Sequence, residues 1–293
     1  MTSNQGAELQ KTSSAPTARL VDPIHATRPP APSDVWDHRA YPTWRADIWK
    51  LIEDFADADV KKAFLNSPPK YVVCDDLSWL DDIVYAVRNQ EIDSKALLSE
   101  RLRKRYKALR AVHGTRTTNI PKFYHDGLLP MVPELLHAQA REIFLGGEFP
   151  ELTESLLQQA IEAVGSDLRE GRVWFEANEE MLIAQAGHYM LYGSEYVTAI
   201  AAHLLGNRDY RQVLKNYGKP TLFVCDVPLE LISEGILREF AGGALESVFQ
   251  ELLDGPEFVA DRWRGAGFYI REPLLAEHLV GHYHPNVRRD PLR

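Results

Sequence analysis

Only 2 cysteines occur in 293 residues, too few for a disulfide framework. Cys74 and Cys225 each sit in an apolar run, so both are expected to be buried thiols in a reducing compartment. Long apolar runs are missing too. Nothing approaches the roughly 20 residues that span a bilayer, and the stretch from Val197 to Leu205 is interrupted by Thr198 and His203. Met1–Gln5 has neither the charged start nor the apolar core of a secretory signal, so a cytoplasmic protein with no membrane partner is expected. An excess of positive charge is also absent. Lys and Arg total 33 against 42 Asp and Glu, a net charge of −9, which argues against non-specific nucleic-acid binding over the whole surface. There is no Gly-x-Ser-x-Gly element of the serine-hydrolase type, and Gly242-Gly243 matches neither glycine-rich nucleotide-binding pattern. His278, His282 and His284 lack a cysteine or acidic partner at ligand spacing, so no metal site is expected.

What is present is an ordinary globular composition, 45% apolar and 26% charged, that divides into three parts. Residues 1–33, rich in Ser, Thr, Ala and Pro, cannot bury enough apolar surface to offset chain entropy and read as a disordered tail. Residues 34–105 read as a helical N-terminal lobe: Trp44, Ile48, Leu51, Ile52 and Phe55 recur at helical spacing, and Leu97, Leu98 and Leu102 share a later helix face. Tyr71–Cys74 is expected to be a short strand inside that lobe. From 106 to 293 strands and helices alternate, an α+β pattern. Ala108–His113 reads as a strand ending in a turn at Gly114, and Arg172–Glu176, Thr221–Cys225, Phe268–Ile270 and His278–His284 read as further strands. Helices are expected over about 131–168, from Ser194 to Gly206, and over most of Glu230–Leu253.

Six basic residues, Arg101, Arg103, Lys104, Arg105, Lys107 and Arg110, crowd the approach to His113. The plain reading is a solvated helix face running into a strand. The functional one is an electropositive entry for a pyrophosphate or a polyanionic acceptor.

Order along the chain is the more telling feature. A strand carries His113-Gly114-Thr115-Arg116; Asp126-Gly127-Leu128-Leu129-Pro130 closes the next segment; an aromatic strand with Trp174-Phe175 follows. Tyr192-Gly193-Ser194-Glu195-Tyr196 then enters a helix, and two strands, Leu222–Asp226 and Gly267–Arg271, complete the series. Over roughly residues 107–288 this succession resembles the ADP-ribosyltransferase superfamily of the diphtheria-toxin and poly(ADP-ribose)-polymerase type. It looks closest to the bacterial branch that contains the rifamycin ADP-ribosyltransferases.

The resemblance implies a split antiparallel β-sheet core and NAD as co-substrate. It implies that His113 bonds a hydroxyl of the nicotinamide-side ribose, that Gly114 offers backbone groups to the carboxamide, and that Thr115 and Arg116 complete the turn. Trp174 and Phe175 would then lie on the first aromatic strand and Tyr192 at the second wall of the nicotinamide pocket. Chemistry agrees with such a set. Cleaving the glycosidic bond leaves an oxocarbenium-like ribose, so the leaving ring is clamped by aromatic faces, the ribose is fixed, and a carboxylate faces the developing charge. Family members commonly place a Glu at the start of the penultimate strand, where this chain has Arg264-Gly265-Ala266-Gly267. In the rifamycin branch an acid after the preceding strand takes over; Glu234 is the preferred match and Glu246 the competitor. The expected function is transfer of ADP-ribose to a macromolecular acceptor, a protein or nucleic acid rather than a small molecule, as in a bacterial toxin or defence effector. The alternatives are a catalytically impaired protein of the same fold that binds NAD or a partner, and an RNA 2′-phosphotransferase.

Overall fold

The structure is a computed structural model that describes residues 20–21, 29–204, 208–260, 266–285 and 290. Two short strands come first, β1 (Leu20–Val21) and β2 (Val35–Trp36). Four helices follow: α1 (Tyr41–Leu51), α2 (Ala58–Asn66), α3 (Ser78–Arg88) and α4 (Ser94–Arg105). After β3 (Ala108–Thr117) come α5 (Ile120–Asp126), α6 (Pro133–Leu145), α7 (Glu154–Val164) and β4 (Val173–Glu176). A π-helical turn at Met181–Gln185 leads into α8 (His188–Leu191), α9 (Glu195–His203) and α10 (Arg211–Leu214). The chain closes with β5 (Lys219–Pro228), α11 (Glu234–Asp254), β6 (Gly267–Ile270) and β7 (Leu279–Tyr283).

Local chemistry sets several of these boundaries. Asp57 and Asp93 cap α2 and α4 by accepting from backbone N–H groups of the first turn. Asn89, at φ 51°, ends α3 in the left-handed region that asparagine tolerates. Proline stands in the first turn of both α5 (Pro121) and α6 (Pro133), where a missing N–H costs nothing.

The seven described strands form one mixed sheet in the order β1-β7-β5-β3-β4-β6, with β2 beside β3. The five strands β7, β5, β3, β4 and β6 are antiparallel to their neighbours, while β1 and β2 add on in parallel. The β3–β5 ladder runs unbroken from Ala108–Pro228 to Thr117–Lys219. By contrast, β3 meets β4 at the single pair Val112–Glu176. Past Val112 that edge of β3 pairs with no described strand, and the sheet is split there.

Each face of the sheet has its own cover. Odd-numbered residues of β3, β4 and β5 (Leu109, Ala111, Phe175, Phe223, Cys225, Val227) join the main core with α1–α4 and α11. Val112, Leu222 and Val224 point the other way and pack with Leu182, Met190 and Tyr283. Helices α6, α7, α9 and α10 make a third cluster around Phe144, Tyr196 and Tyr210. Residues 34–105 do form helices, but they share one core with the sheet and α11 instead of standing apart as a lobe. Trp36 and Trp44 interlock there with Phe240 and Tyr106.

Some expectations shift. Tyr71–Cys74 has no strand beside it; the Val73 carbonyl accepts from the Trp79 indole N–H and the Asp75 carbonyl from Lys95, so its backbone is spent on side chains. His113-Gly114 is not a strand end, since β3 continues three residues beyond Gly114, through Thr117. The span 131–168 divides into α6 and α7. Gly206 and most of residues 1–33 lie outside the described residues. Within the expected tail, Leu20–Val21 pairs with β7 and the Pro29 carbonyl accepts from Arg110.

Arg110 is 1% exposed and pairs across the ladder with Asp226. Asp226→Ala strands that guanidinium, and a loss of about 3–5 kcal/mol in urea unfolding is expected. Arg110→Met with Asp226→Leu should regain most of it. A loss below about 1 kcal/mol in Asp226→Ala would show that water, not Asp226, carries the charge.

Candidate functional site

The site is built on β3 where β4 leaves it. Across the sheet, His113, Phe223 and His282 form one row, and the β4 register carried one residue past Val112–Glu176 adds Phe175. The His113 ring meets Phe175 edge-on at 6.1 Å. Its Nδ1 lies 2.8 Å from the Trp174 carbonyl, which can only accept, so Nδ1 carries the proton and Nε2 keeps its lone pair. A carbonyl that would serve the next rung of a β3–β4 ladder is thus held by a side chain, and the strands part. Burial lowers the His113 pKa, more than the bond to the Trp174 carbonyl raises it, so the ring is neutral at pH 7. A neutral imidazole with one nitrogen fixed is an oriented hydrogen-bond acceptor.

Gly114 and Trp174 occupy the opposite face. A Cβ on Gly114 would lie 3.3 Å from Leu182 Cδ1, 3.6 Å from Met190 Cγ and 3.9 Å from Tyr189 Cβ. Glycine here lets the segment 181–191 close onto the strand. The aromatic beside Gly114 is therefore Tyr189, whose hydroxyl reaches Glu195 at 3.4 Å and whose pKa is pushed up to about 12, chiefly by burial. Trp174 is 46% exposed; its neighbour Phe175 is buried.

Other expected site residues are engaged elsewhere. Arg116 donates to the carbonyls of Met190, Lys215 and Tyr217, fastening the turns after α8 and α10 to β3. Tyr192 is 3% exposed in the third cluster, with its hydroxyl on Asp290 at 2.6 Å and on Gln212. Thr115 opposes Thr221, in the row that continues to His284. Glu234 begins α11 and faces α4, accepting from Ser99 at 2.6 Å with Arg103 Nε at 3.5 Å. That is the Ala108 end of the sheet, five residues from His113, or about 17 Å of strand. Glu246 neighbours Cys74 and helps to raise its thiol pKa, after burial.

One carboxylate was not flagged by the sequence pattern. Glu176, 8% exposed, pairs with Gly267 across β4–β6 and accepts from the Asn178 N–H at 3.0 Å. Its Oε2 lies 3.5 Å from where a Cβ on Gly267 would be, so it fills space at the start of the strand that lacks an acid of its own. Burial raises its pKa against the lowering effect of its backbone donors. The signal was present as the Glu closing Val173-Trp174-Phe175-Glu176, but only the pairing of β4 with β6 gives it meaning.

The basic cluster is not an entry for anions. Arg101 pairs with Asp54, Arg103 with Glu234, Lys104 with Glu100, Arg105 with Asp47, Lys107 with Asp34 and Arg110 with Asp226. Among the described residues, no three His, Cys, Asp or Glu side chains gather as a metal site, and no helix is long and apolar enough to cross a membrane. His282 instead holds the Tyr124 hydroxyl, and His284 the Pro220 carbonyl. No protein-family model, curated protein or solved structure matches the chain.

Four imidazoles, His38, His113, His188 and His282, have pKa values lowered by burial, His38 to about 3 inside a cage of Trp36, Trp44 and Phe240. The unfolded chain protonates them near 6.5 and the folded one does not, so proton uptake favours unfolding. Stability is full above about pH 7 and falls as pH drops toward 5; Glu176, raised, opposes this only over the lower carboxylate range. Thermal unfolding should show a lower midpoint at about pH 5 than at about pH 7, with a shallower fall in His38→Gln. A flat profile would contradict the burial of these rings.

Proposed function

We propose that the chain is an NAD-dependent ADP-ribosyltransferase in which His113 fixes the nicotinamide-side ribose. The observation that carries this reading is the locked His113 ring, with Nδ1–H on the Trp174 carbonyl and Nε2 left as an acceptor where the sheet splits. Breaking the bond between nicotinamide and ribose sends the bonding pair to the leaving ring and leaves positive charge on the sugar. A neutral histidine accepting from a ribose hydroxyl orients the sugar without adding to that charge. The acceptor's oxygen or nitrogen then bonds the anomeric carbon, and its proton passes to a base. We assign that role to Glu176, which lies on β4 beside the start of β6, one register pair from His113, and is held by backbone donors. Tyr189 replaces Tyr192 as the aromatic beside Gly114, and Trp174, exposed on that same face of the sheet, borders the split.

A non-enzymatic reading, a fold that binds NAD or a partner without turnover, draws support from Glu234, which is bound to Ser99 and Arg103. The 2′-phosphotransferase reading is less favoured, because Arg116 and the arginines of the 101–110 cluster are engaged in carbonyl contacts and ion pairs.

Incubation with NAD and a mixed protein and nucleic-acid extract should release nicotinamide. His113→Ala should reduce that release by about a hundredfold or more, the cost of a misplaced reactant, and Glu176→Gln should reduce it strongly. Glu234→Gln should keep the activity while lowering the unfolding midpoint. Equal turnover in His113→Ala and the parent would sink the assignment. NAD binding by calorimetry with no nicotinamide released under any condition would favour the binding-only reading.

A further inference from the structure

Twelve of the fifteen arginines among the described residues pair with a carboxylate. The three that do not are Arg116, which is spent on carbonyls, and Arg172 and Arg271. These last two are close together. Trp174 pairs with Tyr269 across β4–β6, and the same register carried outward sets Arg172 opposite Arg271. The indole and phenol rings lie 5.0 Å apart at 55°, on the sheet face away from α11. Arg172 stacks at 4.5 Å from the Tyr269 centroid and 5.8 Å from that of Trp174; Arg271 lies 5.6 Å from Tyr269 on the same ring.

Such a patch is costly when empty. Like charges directly opposite across a strand pair repel, and the Arg172 Nε is buried with no hydrogen-bond partner. A net charge of −9 offers many carboxylates, yet none among the described residues pairs with either arginine. Trp174, nearly half exposed, is left beside them with a free ring face. Stacked guanidiniums keep their outward N–H donors available, and those donors match phosphate in a bidentate way. Exposed rings that alternate with arginines are the means by which proteins hold unpaired bases and the backbone between them.

We propose that Trp174, Tyr269, Arg172 and Arg271 form a docking platform for single-stranded nucleic acid. Its bases stack on the exposed ring and its phosphates meet the two unpaired guanidiniums. The patch extends along two strands and carries two separate cationic groups, which suits a run of nucleotides better than one. In its role as the acceptor site for ADP-ribose the platform rests on the transferase reading; as a binding site it stands by itself.

Fluorescence anisotropy with labelled single-stranded RNA and DNA of about 12 nucleotides tests this on the full chain without NAD. The parent should bind at least one of them. Trp174→Ala should weaken binding about tenfold or more, within the range for a lost stack. Arg172→Gln with Arg271→Gln should also weaken it and reduce the log–log salt slope by about 1.4, as two lost phosphate contacts require. Both sets of substitutions lie on an exposed sheet face, and unchanged unfolding midpoints would exclude misfolding as the cause. Duplex should compete poorly. No binding by the parent, binding indifferent to both variants, or equal competition by adenosine monophosphate would each overturn the proposal. Nicotinamide release is read separately, so loss of one reading leaves the other intact.

Discussion

An arginine inside a sheet must have its charge met at once, and Arg110 is the residue whose satisfaction organises this protein. It lies on β3, the strand to which β2, β4 and β5 all attach, and almost none of it reaches solvent. Asp226 meets it across the ladder and the Pro29 carbonyl takes a second donor. Slipping β5 by one residue would turn Asp226 to the wrong face and leave both groups buried and alone. The pair therefore selects one register between β3 and β5, and that register sets His113 opposite Phe223. By holding Pro29 it also guides the incoming chain to β2, which covers the first two residues of β3's other edge.

Because β2 takes Ala108 and Leu109 and β4 takes only Val112, the rest of that edge stays open, and the position of His113 is a consequence of this arrangement. Its ring replaces a backbone rung. The same geometry explains why the imidazole is neutral: it bonds a carbonyl, not a carboxylate, and burial is not offset by a nearby negative charge. A histidine paired with an acid would be drawn toward the charged form and would be a worse neighbour for a developing cation.

Features with a local physical cause were legible in the sequence. Helical spacing marked α1 and α4, and the apolar stripe of Val197, Ile200 and Ala201 marked α9, because burial on one face is written every three or four residues. Features decided by partners distant in sequence were not. Gly114 reads as a turn because glycine usually marks one, yet here it admits Leu182 and Met190 to a strand that runs on. Tyr192 and Tyr189 stand on the same short helix turn, and only packing decides that the first enters the cluster of α6, α7 and α9 while the second covers Gly114. The basic run from Arg101 to Arg110 looks like an anion path because most of its acids, Asp34, Asp47, Asp54, Asp226 and Glu234, lie far from it in sequence.

Alternation along β4 finally separates two tasks that the linear sequence runs together. Phe175 faces the main core and abuts His113, so its size controls the tilt of the ring that holds the ribose in our reading. Trp174 and Arg172 face outward, against Tyr269 of β6. The strand thus presents Phe175 to His113 on one face and Trp174 to the outer platform on the other, while the Trp174 carbonyl joins them. The strand meets β3 at a single register pair and β6 at four. In the reading proposed above, the acceptor platform and the ring that fixes the ribose are therefore linked by one hydrogen bond, and substitutions at 174 must be read at both sites before they are assigned to either.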